Sequence, residues 1–126
     1  AQARAAAMRA VETAIAAVSR FNAEADALPM RFGLALHVGD VLHGNIRVRH
    51  RLTWSVLGRA VNEAARLQEL TKSENAALIA SDAFLRGAPA AMTDAWTPLG
   101  PRSLRGLSEP IAIHAWRGDV AAAAPM

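Results

Sequence analysis

Asn62 and Arg66 are the residues whose types and spacing most clearly suggest chemistry in this chain. Residues four positions apart in an α-helix lie on one face, so both side chains can reach the same bound group. The guanidinium group of arginine is planar, always charged and rich in N–H donors, which suits it to a phosphate. The pair therefore predicts a phosphate-binding face on a helix.

The residues before this pair predict a strand-to-helix junction that would position it. Residues 52–57 form an extended apolar run that carries Ser55, and Gly58 interrupts the run. Glycine lets the backbone turn sharply because it has no Cβ atom. A helix over residues 58–71 is then expected. Its small and apolar residues predict its packing side: Val61, Ala64, Ala65 and Leu67.

The N-terminal third of the chain predicts one helix and one hairpin. Apolar or small residues at intervals of three to four indicate an amphipathic helix over residues 2–27, which Pro29 ends. A period of two over residues 32–38 is typical of a strand with one packed face. Residues 39–40 are expected to turn the chain, so that residues 41–46 return as the second arm of a hairpin.

The C-terminal half predicts further strands around one short helix. Strands are expected at residues 77–80, 96–104 and 111–116, and Ser81 is expected to cap a helix that ends at Arg86. Helices interleaved with paired strands indicate an α+β sandwich. We therefore predict a mainly antiparallel sheet with helices on one face.

Length and composition exclude several classes of protein. The chain has 126 residues, of which 52% are hydrophobic and 20% charged, as is typical of one globular domain. No apolar run approaches bilayer length, so no membrane contact is expected from this segment. The absence of cysteine excludes disulfides and thiolate metal sites, and a cytoplasmic location is expected. We assign residues 1–120 to the domain and expect residues 121–126 to be a disordered tail.

The charge pattern speaks against nucleic acid as a partner. The net charge is only +3, and the basic residues cluster at one place. The cluster consists of Arg47, Arg49, His50 and Arg51. Two interpretations stay open: a solvated hairpin tip, or a contact for a polyphosphate whose charge it would stabilise.

Three segments give the chain a family resemblance. RFGLALHVGDVLHGNI at 31–46 and SVLGRAVNEAARLQELTK at 55–72 closely resemble the catalytic domain of class III nucleotidyl cyclases. LRGLSEPIAIHAW at 104–116 resembles the closing strands of that domain. The resemblance implies a partial ferredoxin-like core. It also implies an adenylate cyclase activity, which converts ATP to cyclic AMP and pyrophosphate in intracellular signalling.

The resemblance further implies a role for each matching residue. In the family reaction the ribose 3′-hydroxyl attacks the α-phosphorus and expels pyrophosphate, with two metal ions assisting. Arg66 would stabilise the charge on the α-phosphate, and Asn62 would orient the ribose. Ser55 stands where adenylyl cyclases carry a residue that meets adenine, which favours ATP. Arg51 and Arg105 would contact the triphosphate.

The resemblance also implies parts that this sequence does not match. Mg or Mn ions are the expected cofactors. In the resembled family, however, their two aspartates and an adenine-reading lysine precede the helix that begins this chain. We therefore assign no metal ligand here, and expect a C-terminal portion of a cyclase domain that is inactive alone. Because the family's site forms between two domains, the expected partners are ATP and a second cyclase domain in a homodimer.

Two other functions stay open. A non-catalytic cyclase homologue, which binds nucleotide or regulates a partner, is suggested by departures from the family pattern at Arg47, Thr53 and Arg59. An RNA-binding ferredoxin-like module is a remote alternative, because such sheets bind single strands through aromatic side chains. The chain contains no tyrosine, which disfavours it.

Two of the residues in these motifs also have simple structural interpretations. Arg66 could be a surface arginine that forms an ion pair with Glu63 or Glu69. His37 is a lone histidine on a predicted strand, so we expect a structural role for it and assign it neither to a metal nor to proton transfer.

Overall fold

The computed structural model describes residues 2–24, 30–48 and 51–116, with residues 43–48, 51–57, 91 and 92 described by their backbone alone. Its helices and strands confirm the predicted α+β class. In chain order they are α1 (Gln2–Glu24), β1 (Leu34–Leu36), β2 (Leu42–Val48), β3 (Arg51–Leu57), α2 (Arg59–Ser73), β4 (Leu78–Ser81), α3 (Asp82–Arg86), α4 (Ala90–Thr93), β5 (Trp96–Arg102) and β6 (Ile111–Trp116).

Four strands form a mixed sheet in the order β1-β4-β6-β5, and β2 and β3 form a separate antiparallel pair. Strand β1 runs parallel to β4, whereas the β4–β6 and β5–β6 pairs are antiparallel, so the sheet is mainly antiparallel as predicted. The predicted hairpin between residues 32–38 and 41–46 is wrong. Alternation with a period of two identifies an extended segment, but it does not identify the strand with which that segment pairs.

Helices cover both faces of the sheet at β4. All four residues of this strand are buried, and neighbouring side chains in a strand point to opposite faces. Leu78 lies in one apolar cluster with Met8 of α1, whereas Ile79 lies in another with Leu67 of α2. The prediction that helices occupy one face is therefore wrong. An apolar stripe shows that a helix packs, but not which face of the sheet it covers.

Two glycines allow α2 to approach the chain on either side of β1. A Cβ atom added at Gly33 would lie 2.0 Å from Thr71 Oγ1, and one added at Gly39 would lie 2.6 Å from Ala60 Cβ. Neither contact leaves room for a larger residue unless the helix moves. The two glycines therefore hold both ends of α2 close to the segment that carries β1.

The observed packing side of α2 differs in phase from the predicted one. Its buried residues are Ala60, Leu67 and Thr71. Leu67 was correctly predicted to pack and is 0% exposed, whereas Val61 is 37% exposed and was wrongly predicted. One residue corresponds to about 100° of rotation, so a shift of one position moves a side chain off the packing face.

The predicted elements after α2 agree closely with the structure. Strands β4, β5 and β6 match the predicted segments to within a few residues. Ser81 Oγ accepts a hydrogen bond from Phe84 N at 3.2 Å, which confirms the predicted cap of α3. Helix α4 was not predicted, because four residues are too few to show a helical period. The predicted helix end at Pro29 and the predicted tail at 121–126 lie outside the described residues.

Candidate functional site

A single glycine connects β3 to α2. Gly58 has φ 144°, a conformation that favours glycine, and its carbonyl oxygen accepts a hydrogen bond from Val61 N at 3.2 Å. A Cβ atom at this position would lie 3.1 Å from the carbonyl oxygen of Asp40. The predicted strand-to-helix junction is therefore confirmed, and the first turn of α2 directly follows β3.

Asn62 and Arg66 lie one turn apart on the accessible side of α2. Asn62 is exposed, and the side chain of Arg66 is 32% exposed. Leu67, the next residue along the chain, is fully buried. The burial of Leu67 orients the helix, so that both predicted catalytic side chains are open to a ligand. Their catalytic roles remain predictions.

Arg66 and Arg105 meet at one carboxylate oxygen. Arg66 Nη1 donates a hydrogen bond to Glu69 Oε2 at 2.7 Å, and Arg105 Nη2 lies 3.5 Å from the same atom. Arg105 belongs to the connection between β5 and β6, 36 positions after Glu69. The structure thus brings together two predicted site residues that occur in separate motifs. It also shows the Arg66–Glu69 ion pair that a simple structural interpretation predicts.

Strand β3 carries the other two predicted site residues. Ser55 pairs with Gly44 and Arg51 pairs with Val48, so Arg51 lies at the tip of the β2–β3 hairpin. The side chains of both residues lie outside the described part of the structure, as do residues 49 and 50 of the basic cluster. The contacts of Ser55 with adenine and of Arg51 with the triphosphate therefore remain predictions.

His37 lies in a hydrogen-bonded chain that connects the sheet to α2. Its side chain is 8% exposed, with Nδ1 2.7 Å from Ser81 Oγ and Nε2 3.0 Å from Glu63 Oε1. The second carboxylate oxygen of Glu63 lies 3.6 Å from Arg59 Nε. Both ring nitrogens of His37 thus have partners, as expected for a structural histidine.

Ser81 and Glu63 can play different parts in these hydrogen bonds, because a hydroxyl both donates and accepts whereas a carboxylate only accepts. Ser81 Oγ already accepts the Phe84 N–H group. A carboxylate can only accept, so His37 donates from Nε2 to Glu63, and its Nδ1 lies within hydrogen-bond distance of the same Ser81 oxygen. The arrangement fixes Glu63, and with it the part of α2 that presents Asn62.

A second polar contact fixes the C-terminal end of α2. Arg102 of β5 donates from Nε and Nη2 to the two carboxylate oxygens of Glu74, at 2.6 and 3.2 Å. These hydrogen bonds, together with the charge of Arg102, hold the pKa of Glu74 below its ordinary value. The same interaction raises the pKa of Arg102. Helix α2 is therefore anchored to the sheet by polar contacts at both ends and by Leu67 between them.

The side chains that the structure describes lie in residues 2–24, 30–42, 58–90 and 93–116. They contain no group of three or more His, Cys, Asp or Glu residues that could hold a metal ion. The location of the Mg or Mn ligands upstream of this chain remains a prediction. Among the helices described, none has the length and apolarity needed to cross a bilayer.

The contacts of Glu63 with His37 and of Glu69 with Arg105 were not predicted from the sequence. Glu63 was considered only as a partner for Arg66, but it pairs with His37 and Arg59. A signal was available, because Glu63 lies four positions before the buried Leu67 and therefore on the same face of α2. A carboxylate on the packing face of a helix needs a buried partner. No comparable signal links Glu69 to Arg105.

Sequence comparison finds relatives of unknown function. No family model matches the chain. The uncharacterized protein Rv1320c of Mycobacterium tuberculosis is 40% identical over 81 residues, which cover 64% of this chain and 14% of that protein. The uncharacterized protein Rv1319c of the same organism is 35% identical over 81 residues and is covered to 15%. The chain thus spans a small part of the curated relatives it matches.

Structure comparison finds nucleotide cyclases. A bacterial light-regulated adenylyl cyclase superposes with a TM-score of 0.54 at 28% identity, over 64% of this chain and 22% of that chain. This chain has a nucleotidyl cyclase-like fold. The adenylyl cyclase CyaB of P. aeruginosa shares the fold with a TM-score of 0.50 at 24% identity, over 64% of this chain and 39% of that one. The similarity covers part of each chain.

Proposed function

We propose that this chain is part of a class III nucleotidyl cyclase domain that converts ATP to cyclic AMP and pyrophosphate. The convergence of Arg66 and Arg105 on one carboxylate oxygen carries the proposal. Carboxylate and phosphate oxygens accept the same charge-assisted hydrogen bonds from guanidinium groups, so this arrangement suits a phosphate. The 28% identity and shared fold with the light-regulated adenylyl cyclase support the same conclusion.

Each predicted site residue has a task in the proposed reaction. The ribose 3′-hydroxyl loses its proton to solvent and its oxygen bonds to the α-phosphorus, while the bond from that phosphorus to the bridging oxygen breaks and pyrophosphate leaves. Arg66 stabilises the charge that develops on the α-phosphate oxygens, because α2 holds it in place before the reaction. Asn62 orients the ribose, and Ser55 contacts the adenine edge. Arg51 and Arg105 bind the triphosphate.

Other parts of the site come from outside this chain in the proposal. The ligands of the Mg or Mn ions and the adenine-reading lysine belong to the preceding part of the domain. A second cyclase domain completes the site in a cytoplasmic homodimer. No step of the proposed reaction depends on a metal ligand from the described residues, because they contain no suitable cluster.

A non-catalytic homologue that binds nucleotide is the second candidate. The ion pairs of Arg66 with Glu69 and of Arg59 with Glu63 favour it, because both arginines already have partners within α2. The RNA-binding alternative has less support. Binding of single strands to a ferredoxin-like sheet needs an open face, whereas β4 is covered on both faces.

Cyclic AMP production by the full-length protein tests the proposal. With ATP and either Mg or Mn, we expect Arg66→Ala to lower kcat by about a hundred- to a thousandfold while the protein stays folded. Arg86→Ala is the matched control, because Arg86 is also an exposed helical arginine in an ion pair, with Asp82. A wild-type protein that binds an ATP analogue but forms no cyclic nucleotide would identify the non-catalytic homologue. Equal losses in both variants would contradict the role of Arg66.

A further inference from the structure

We propose that Glu69 is a built-in competitor for the anion that Arg66 and Arg105 bind, and that it thereby sets the affinity of this site for a polyphosphate. The inference rests on the proposed function for the identity of the ligand, the triphosphate group of a nucleotide. Its geometric basis is independent of any reaction, because both guanidinium groups lie within 3.5 Å of Glu69 Oε2. That oxygen occupies the position in which a phosphate oxygen would accept hydrogen bonds from both guanidinium groups.

The contacts of Glu69 differ from those of the other carboxylates along α2. Glu63 is fixed by His37, and Glu74 is fixed by Arg102, so both connect the helix to the sheet. Glu69 instead forms ion pairs with the two arginines of the candidate site, and its side chain is 50% exposed. It can therefore rotate into solvent without disturbing the core.

Charge favours displacement of Glu69 by a polyphosphate. The two arginines carry two positive charges and Glu69 carries one negative charge, so the group has an excess of positive charge. A triphosphate has more negative charges than a carboxylate and can offer a separate oxygen to each guanidinium group. The ligand must nevertheless break two ion pairs before it binds. The carboxylate that leaves also repels the incoming anion.

Binding of inorganic triphosphate to the full-length protein tests this inference. Glu69→Gln keeps the size of the side chain and removes its charge. Because exposed ion pairs are weak, we expect the dissociation constant of inorganic triphosphate to be about two- to fivefold lower for this variant than for wild type. The melting temperature should change little. Glu12→Gln is the matched control, since Glu12 is an exposed residue of α1, which packs on the opposite face of the sheet. It removes the same charge and should leave the affinity unchanged.

The outcomes separate this inference from the proposed function. Weaker triphosphate binding by Glu69→Gln would overturn the inference, because Glu69 would then hold the arginines in position for the ligand. Equal binding by Glu69→Gln and wild type, or no binding by wild type, would overturn it as well. Tighter binding by Glu69→Gln in a protein that neither prefers ATP to inorganic triphosphate nor makes cyclic nucleotide would support the inference while refuting the proposed function.

Discussion

Replacing Ser81 by alanine should break the two hydrogen bonds of a fully buried side chain. Ser81 is 0% exposed, and its Oγ atom lies 2.7 Å from His37 Nδ1 and 3.2 Å from Phe84 N. Loss of a serine N-cap costs about 1 kcal/mol. A buried ring nitrogen left without its hydrogen-bond partner costs about 1–3 kcal/mol more. We therefore expect Ser81→Ala to lower the free energy of unfolding by about 2–4 kcal/mol.

Urea denaturation followed by tryptophan fluorescence measures this change. Trp96 and Trp116 are suitable reporters, because their rings pack edge to face with centroids 5.2 Å apart. Ser73→Ala is the matched control, since Ser73 is an exposed residue whose hydroxyl donates only to the carbonyl oxygen of Leu70. We expect this control to change the free energy of unfolding by less than about 0.5 kcal/mol.

A double-mutant cycle with His37→Ala separates the two contributions. If the hydrogen bond between Ser81 and His37 stabilises the fold, the two substitutions should be non-additive by about 0.5–3 kcal/mol. Additive effects would mean that Ser81 acts only as a helix cap. A loss no larger than that of Ser73→Ala would refute both the cap and the contribution of the hydrogen bond to His37.

Three further substitutions test how α2 is held. Gly33→Ala places a Cβ atom 2.0 Å from Thr71 Oγ1, so we expect a loss of about 1–3 kcal/mol in urea denaturation; no loss would mean that the helix moves away freely. Leu67→Ala empties a fully buried position and should cost about 2–5 kcal/mol, whereas a smaller loss would indicate that the core collapses around the change. Arg102 lowers the pKa of Glu74 from its ordinary value of 4.5, so the ion pair contributes fully to the stability of the fold above that pH. This contribution is lost as the pH falls through the lower pKa that Glu74 has in the folded protein. Thermal unfolding at decreasing pH should therefore show a smaller acid-dependent fall in melting temperature for Glu74→Gln than for wild type, and equal falls would contradict this role.

Features encoded by a few neighbouring residues could be predicted from the sequence. The break at Gly58, the cap at Ser81 and the shared face of Asn62 and Arg66 each depend on one turn of backbone. Local sterics and hydrogen bonding decide such features, so the residues themselves are sufficient to indicate them. All three are present in the structure.

Features that depend on distant partners could not be predicted in the same way. The alternation at residues 32–38 is equally compatible with pairing to β2 or to β4, because it reports only the faces of a strand. The meeting of Arg105 with Glu69 depends on the order of strands in the sheet, which places the β5–β6 connection beside α2. No spacing within one motif contains that information. The roles of Arg51 and Ser55 remain predictions, because the structure describes only their backbone.

Helix α2 shows how one element gives the same residue type two different tasks. Glu63 and Glu69 are six positions apart, which corresponds to about one and two-thirds turns, so they point in different directions. Glu63 points toward the sheet, where His37 fixes it and it holds the helix in place. Glu69 points to the accessible side, where it occupies the two arginines of the candidate site. Neutralising the first should therefore affect mainly stability, and neutralising the second should affect mainly the affinity for anions.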